Sequence, residues 1–275
     1  MDRAELSRHS HANLVESVRR LAVLNPEAVV EVRAGTTLIA GGHPHPVIDN
    51  AAMRVDDSAE PADVLAAGRA FFGELGRGFS VWVRDGAPED ASLKEAGLGA
   101  GLRDVYGMPQ MVVERRVKGS SRSGGPDVRR VTREEEVAAY WRLTAQVYRS
   151  LDFPPEMFEG YVDREGLLAP DIAAFLAYLD DEPVAAAMTV VTHGVAGIFW
   201  VGALERARGR GLARACTAAA VNAGFDLGAD FASLQASAMG APMYTAMGFE
   251  TLYAYRLLLC SAGLSRPSPR EPNRD

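Results

Sequence analysis

The segment Val201-Gly-Ala-Leu-Glu-Arg-Ala-Arg208-Gly209-Arg210-Gly211-Leu212-Ala213 holds the residue types needed to grip a phosphate. It joins an apolar run, expected as a strand, to a stretch from Gly211 to Leu227 with six alanines, expected as a buried helix. The first amides of a helix have no partner inside it, and the macrodipole places partial positive charge there, so such a turn favours an anion. Gly209 and Gly211 let the backbone come close, while Arg208 and Arg210 add charge and forked donors. Neither G-x-x-x-x-G-K-[ST] nor a dinucleotide G-x-G-x-x-G is present at this turn, which disfavours a nucleotide. An ordinary strand-to-helix loop with surface arginines has the same composition. A second element is needed to make the turn a site.

That element is Ala236-Ser-Ala-Met-Gly240-Ala-Pro242-Met-Tyr244-Thr-Ala-Met-Gly248-Phe249. In order and spacing the two segments resemble the GNAT superfamily of N-acetyltransferases over about residues 128 to 260. The coenzyme A signature of that family, Q/R-x-x-G-x-G/A, fits Arg208 to Ala213, and a second register fits Arg206 to Gly211. The first is preferred because Leu212 then begins the apolar helix directly. The closing motif Y-x-x-x-G-F fits Tyr244 to Phe249. The resemblance implies acetyl-coenzyme A as acyl donor, with main-chain groups of Val201 and Ala203 on the pantetheine arm and residues Arg208, Gly209, Arg210, Gly211, Leu212 and Ala213 on the pyrophosphate. It also implies Tyr244 as the general acid that protonates the departing thiolate, a role that suits a phenol with an ordinary pKa near 10. The expected activity is transfer of an acetyl or short acyl group to a primary amine, on a small molecule or a peptide, by direct attack in a ternary complex. The alternative is a catalytically degenerate acyl-coenzyme A binding or sensing protein.

Amine acylation needs a neutral nucleophile, hence a base or a water chain. Many relatives carry a glutamate on the strand before the phosphate turn, whereas here Gly197-Ile-Phe-Trp-Val-Gly-Ala has no carboxylate before Glu205. Asp152, Glu156 and Glu159 are weak candidates, since acidic residues near helix starts usually serve capping and the dipole. Trp200, Phe153, Phe158 and Tyr161 suit either an acceptor pocket or plain core. His43 and His45, around prolines, are expected as solvent-facing turn histidines, and His9 and His11 likewise. His193 serves as a base only if the chain folds it inward. No metal is expected. Cys216 and Cys260 lie in apolar surroundings and are expected as core thiols.

These residues must be positioned by a mixed α/β (α+β) scaffold. Residues 118–127 contain three glycines and no large apolar side chain, which marks a linker. The expected organisation is a degenerate GNAT-like unit over 1–117, the linker, a GNAT acetyltransferase unit over 128–260 and a disordered tail over 261–275. Before the linker, Leu14, Val15, Val18 and Leu21 recur at helical spacing, Val29 to Ala40 and Val47 to Val55 suit strands, and Pro61 opens a helix. A strand at Phe79 to Arg84, a helix near Leu93 and a strand over Gln110 to Val117 follow. After it come a strand at Val128, a helix capped by Thr132 and Glu135, a second helix from Pro154, three strands between Ile172 and Leu204, the alanine-rich helix, a strand at Phe231, a helix at Ala241 and a final strand pair from Phe249 to Cys260. The two halves share this order, as a diverged tandem pair would.

At 275 residues with 48% hydrophobic and 24% charged residues, the chain has material for two globular units. A net charge of -7 excludes a generic nucleic-acid binder. No apolar run is long enough for a membrane span and the N-terminus is interrupted by Asp2, Arg3 and Glu5, so a cytoplasmic protein is expected, with a homodimer as the candidate assembly.

Overall fold

The computed structural model describes residues 1–46, 50–119, 126–150 and 166–261. The helix expected from Pro154, together with Asp152, Phe153, Glu156, Phe158, Glu159 and Tyr161, lies outside the described residues, as do the centre of the expected linker and the tail beyond Ser261.

The chain opens with α1 (Arg3–Ala22), started by a reciprocal capping box in which the Glu5 amide donates to the Asp2 carboxylate and the Asp2 amide to the Glu5 carboxylate. β1 (Val29–Arg33) and β2 (Thr36–Ala40) follow as a hairpin, where one continuous β-prone run was expected. Ala34 and Gly35, at φ 45° and 66°, form a two-residue turn of the hand that suits the strand twist. β3 (Asn50–Arg54), α2 (Pro61–Glu74), β4 (Phe79–Asp85), α3 (Ala91–Gly99) and β5 (Arg103–Val113) complete the first half.

β6 (Asp127–Arg130) and α4 (Glu134–Arg149) open the second half. The α4 cap lies one residue later than expected: the Thr132 and Arg133 amides donate to the Glu136 carboxylate, so Glu136 takes the place foreseen for Glu135. Then come β7 (Ile172–Leu179), β8 (Glu182–Thr192), β9 (Val195–Ala203), α5 (Leu212–Asp226), β10 (Phe231–Gln235), α6 (Ala241–Ala246) and β11 (Glu250–Cys260). The expected final strand pair is thus one long strand, kept paired with β5 through two register shifts.

Among the described residues, eleven strands form one sheet in the order β1-β2-β3-β4-β11-β5-β10-β9-β8-β7-β6. Two crossovers, β3-α2-β4 and β9-α5-β10, make the two parallel pairs, and the other neighbours are antiparallel. The halves therefore repeat one pattern: a run of antiparallel strands, then a parallel crossover. Each half lends its last strand to the other, since β11 pairs with β4 and β5 pairs with β10, and the two lent strands pair with each other at the centre. The sheet is mixed and carries helices on both faces, a tandem GNAT-like α/β architecture as expected.

One face of the first half packs Phe71, Phe72 and Val64 of α2 and Leu93 of α3 on Leu38, Val81 and Leu258. In the second half Cys216, Ala220 and Val221 of α5 pack on Ala185, Ala187 and Ala196. The opposite face carries α1, with Leu14 and Val15 against Met53, Trp82 and Tyr255, and α4, with Tyr140, Trp141 and Val147 against Ala174, Ala186 and Met188. The α1 helix is pinned to the second half by Asn13, whose Nδ2 donates to the Val195 carbonyl at 3.0 Å and Thr192 Oγ1 at 2.8 Å, and by an Arg20–Asp171 ion pair. Gly197 makes room for Asn13, since a Cβ there would lie 2.3 Å from its Oδ1.

His11 is not solvent-facing. It is buried under α1, its Nε2 donating to the Arg54 carbonyl at 2.6 Å and its Nδ1 accepting from the Tyr255 hydroxyl at 2.7 Å, which in turn accepts from Tyr253. Burial, and then the Arg84 charge, push its pKa down to about 4, so the ring is neutral. His9 is exposed, while His43 and His45 are half-buried, with the His45 amide donating to His43 Nδ1. Both cysteines are buried and unpaired, and burial pushes the Cys216 thiol up to about 12.

Candidate functional site

The arginine-glycine turn leaves β9 through a short 3-10 turn at Glu205–Ala207 and enters α5 at Leu212. Gly209 and Gly211 stand at φ 75° and 77°, with no neighbour within 4 Å of where a Cβ would lie, so glycine is required by conformation and the space above the turn is open. No side chain caps α5, which leaves the amides of Leu212, Ala213 and Arg214 without helical partners. Arg206 is drawn to Glu182 at 2.7 Å on the outer surface. Arg208 instead donates to Ser150 Oγ at 2.6 Å, across the mouth of the turn at the end of α4. Arg208 thus reaches toward the end of α4 and Arg206 does not.

β9 and β10 part company. Their parallel ladder runs from Val195 opposite Phe231 to Gly197 opposite Ser233 and stops, although β9 continues to Ala203 and β10 to Gln235. On its other edge β9 stays bonded to β8, and the Leu204 amide donates to the Val184 carbonyl. Main-chain groups alternate along a strand, so Ala203 and Val201 turn their peptide groups toward the gap. Within this stretch Ala186 faces Gly202 but Met188 faces Phe199, so β9 carries one extra residue, a β-bulge. Trp200 sits in it at φ 51°, a left-handed conformation for a bulky side chain, its ring packed edge-on to Tyr148 at 5.2 Å and to Trp141 at 6.5 Å.

A cavity of about 590 Å³ fills the gap. Val201, Trp200 and Phe199 of β9, Leu234 and Gln235 of β10, and Tyr244 of α6 line it, and Ser150 connects it to Arg208. Tyr244 is buried, its ring edge-on to Phe249 at 5.8 Å, and burial pushes its pKa well above the usual phenol range. The hydroxyl is therefore protonated at any ordinary pH. Tyr148 on the same wall is pushed up as well, by burial first and then by the neighbouring Tyr244 and Tyr106 phenols.

Of the expected site residues, Val201 and Tyr244 line the cavity and Arg208 reaches its edge through Ser150, whereas Ala203 and Gly209 to Ala213 are not on its lining. His193 is exposed at the β8–β9 turn, its carbonyl bonded to His9 Nδ1, and does not line the cavity. Sequence reasoning missed Ser150, the bulge at Trp200 and the far wall, which is built by Leu14, Val18 and Leu21 of α1, Ile39 of β2 and Trp82 of β4. The α1 residues were legible as an apolar stripe, but a stripe that faces a cavity reads the same as one that faces core. Among the described residues no cluster of His, Cys, Asp or Glu is arranged to hold a metal, and no helix is long and apolar enough to cross a membrane.

Residues 111–238 match the family described as an acetyltransferase (GNAT) domain. No curated protein matches the chain in sequence. Among solved structures, a GCN5-related N-acetyltransferase from Kribbella flavida superposes with a TM-score of 0.69 at 21% identity, covering 92% of this chain and 94% of that one. One from Sphaerobacter thermophilus gives 0.60 at 15% identity, covering 84% and 82%. A tandem GNAT protein from the clavulanic acid biosynthesis pathway gives 0.61 at 12% identity, covering 88% and 86%. At these identities the likeness concerns the fold, and it spans both halves. The chain therefore carries a GNAT acetyltransferase domain, set in a fold that GNAT proteins share over most of its length.

Proposed function

We propose that this chain transfers an acetyl or other short acyl group from coenzyme A to a primary amine by direct attack in a ternary complex. The observation that carries the reading is the parted β9–β10 pair, whose open main-chain edge lies between an uncapped helix start and a buried tyrosine. In this reading the amides that open α5, with Arg208 and Arg210, hold the pyrophosphate. Val201 and Ala203 bond the pantetheine arm in the manner of a missing strand, using groups that β10 leaves unpaired. Tyr244 gives its proton to sulfur as the amine nitrogen bonds to the carbonyl carbon and the carbon–sulfur bond breaks, and the proton that the nitrogen sheds restores the phenol.

The first half is read as a degenerate unit, with residues 118–127 as linker and 128–260 as the active one. Its turn between β3 and α2 corresponds in topology to the arginine-glycine turn, yet it carries Asp56, Asp57 and Glu60. Three carboxylates at that position repel a pyrophosphate. Asp57 is instead bonded to Arg84, which also grips Asp90 through two nitrogens at 2.9 Å.

Thermal-shift titration with acetyl-coenzyme A, followed by thiol release over a set of amines, tests the proposal. Stabilisation with turnover supports it. No stabilisation by any acyl-coenzyme A rules it out, and binding without turnover turns the reading to an acyl-coenzyme A sensor.

A further inference from the structure

We infer that the acceptor is an apolar, ring-bearing primary amine, seated as the neutral amine against a wall that the N-terminal half supplies. This rests on the acyl-transfer reading above and deepens it by naming the substrate class.

The cavity beside Tyr244 is larger than a short acyl group and a thioester need, and its far side belongs to no element of the donor site. That side is Leu14 and Val18 of α1, Ile39 of β2 and Trp82 of β4, with Phe199 packed against the same cluster and Trp200 also on the lining. Leu14, Ile39 and Trp82 are at most 5% exposed, so the wall is inside the molecule. Trp82 directs its one polar atom away, Nε1 donating to Ser80 Oγ at 3.0 Å, so ring carbon is what it offers the cavity. Two indoles and a phenyl ring on the lining of one cavity suit a flat apolar body, which gains by leaving water.

The same enclosure acts on the nucleophile. The lining of the described part of the cavity includes no Asp, Glu, Lys, Arg or His side chain. The raised pKa values of Tyr148 and Tyr244 register a medium that penalises charge, and burial that disfavours a phenolate equally disfavours an ammonium. An amine with an apolar body is drawn in as the free base, ready to attack. A polycation pays the desolvation of every charge it brings and gains nothing from the rings.

The wall is also held to the catalytic half. Asn13, next to Leu14, bonds the main chain at Val195, and Arg20, two residues after Val18, pairs with Asp171. Acceptor selection thus belongs to the half that has lost the phosphate turn.

The test uses the full chain with acetyl-coenzyme A and measures thiol release for 2-phenylethylamine, tryptamine and aniline against spermidine, lysine and kanamycin. Acetyl-coenzyme A affinity is measured separately by calorimetry. The ring-bearing amines are expected to exceed the polar ones in kcat/KM by about 10-fold or more, the scale on which an apolar pocket discriminates. Val18→Phe, which narrows the wall, should lower that value about 10-fold for tryptamine while acetyl-coenzyme A binding stays within about twofold. Melting curves confirm that the variant is folded; Leu21→Phe serves in its place if it is not. For 2-phenylethylamine kcat/KM should climb with pH as the free-base fraction does, and for aniline it should be flat above pH 6. Equal or better use of spermidine, lysine or kanamycin overturns the inference, as does binding of acetyl-coenzyme A with no turnover of any ring-bearing amine, or no change on narrowing the wall. Absence of acetyl-coenzyme A binding overturns the acyl-transfer reading itself.

Discussion

At the scale of single residues, the two positions to which the proposed transfer assigns most of the chemistry differ in how they are held. Tyr244 is protonated at neutral pH as any phenol is, and burial only raises its pKa further, so removing its hydroxyl should cost turnover and little else. Tyr244→Phe is expected to lower kcat for thiol release by about 100-fold, in the range of a lost proton donor, with the acetyl-coenzyme A Kd within about twofold. Arg208 and Arg206 test the register of the turn. Arg208→Ala should weaken acetyl-coenzyme A binding about 10-fold, as the loss of one charge-assisted contact does, whereas Arg206→Ala, already committed to Glu182, should change it by less than about twofold. Both arginines were visible in the sequence, and so was Tyr244, because motif spacing is local. The engagement of Arg206 elsewhere was not, since Glu182 lies on a different strand.

His11 gives a prediction of another kind. Its pKa is about 4 in the folded chain against an ordinary 6.5, so between those values the unfolded chain binds the extra proton. Stability contributed by the neutral ring is therefore complete above about pH 6.5 and drains away as pH falls toward 4, by about 3 kcal/mol in total. His11→Gln, which does not titrate, should flatten the dependence of urea midpoint on pH in that window. A helical histidine between Ser10 and Ala12 gave no sign of burial. Only the Arg54 carbonyl and the Tyr255 hydroxyl, brought from distant strands, explain why it is inside.

At the scale of elements, local pattern carried far. The strands of the second half, the alanine-rich α5 and the short α6 lie within a residue or two of expectation, because each is bounded by glycine, proline or a cap and shows its own period. The misses share a cause. The β1–β2 turn hides in a β-prone run because Ala34 is not a residue that announces positive φ, and β11 looks like two strands because its bends are set by β5 rather than by its own residues. The bulge at Trp200 is a property of pairing with β8 and leaves no mark in composition. Asn13 tests how firmly α1 is joined to the site. Asn13→Ala leaves carbonyls at Val190 and Val195 without this donor and should cost about 2 kcal/mol in chemical denaturation, with a rise in acceptor KM larger than any change in acetyl-coenzyme A affinity.

For the whole molecule, the exchange of β5 and β11 decides what can stand alone. A cut in 118–127 follows the composition of the chain but separates β5 from both strands it pairs with, β10 and β11. A fragment over 126–261 would expose the facing edges of those two strands and lose the α1 wall of the cavity. It is expected to lack near-ultraviolet circular dichroism and to aggregate, while the full chain gives a single cooperative transition. Co-expression of residues 1–119 with 126–261 should restore a soluble complex, since every strand then has its neighbour. A folded, monomeric fragment over 126–261 would show that the lent strand is dispensable.

The lent strands also bear on the order of events at the ribosome. β4 has finished synthesis long before β11, the neighbour it requires, leaves the exit tunnel. The first half must therefore wait with an apolar strand edge uncovered, and closure of the sheet depends on contacts between distant parts of the chain. Slow maturation is the expected cost of closing one sheet from strands at opposite ends of the chain. In return, no half-made molecule has a complete active site.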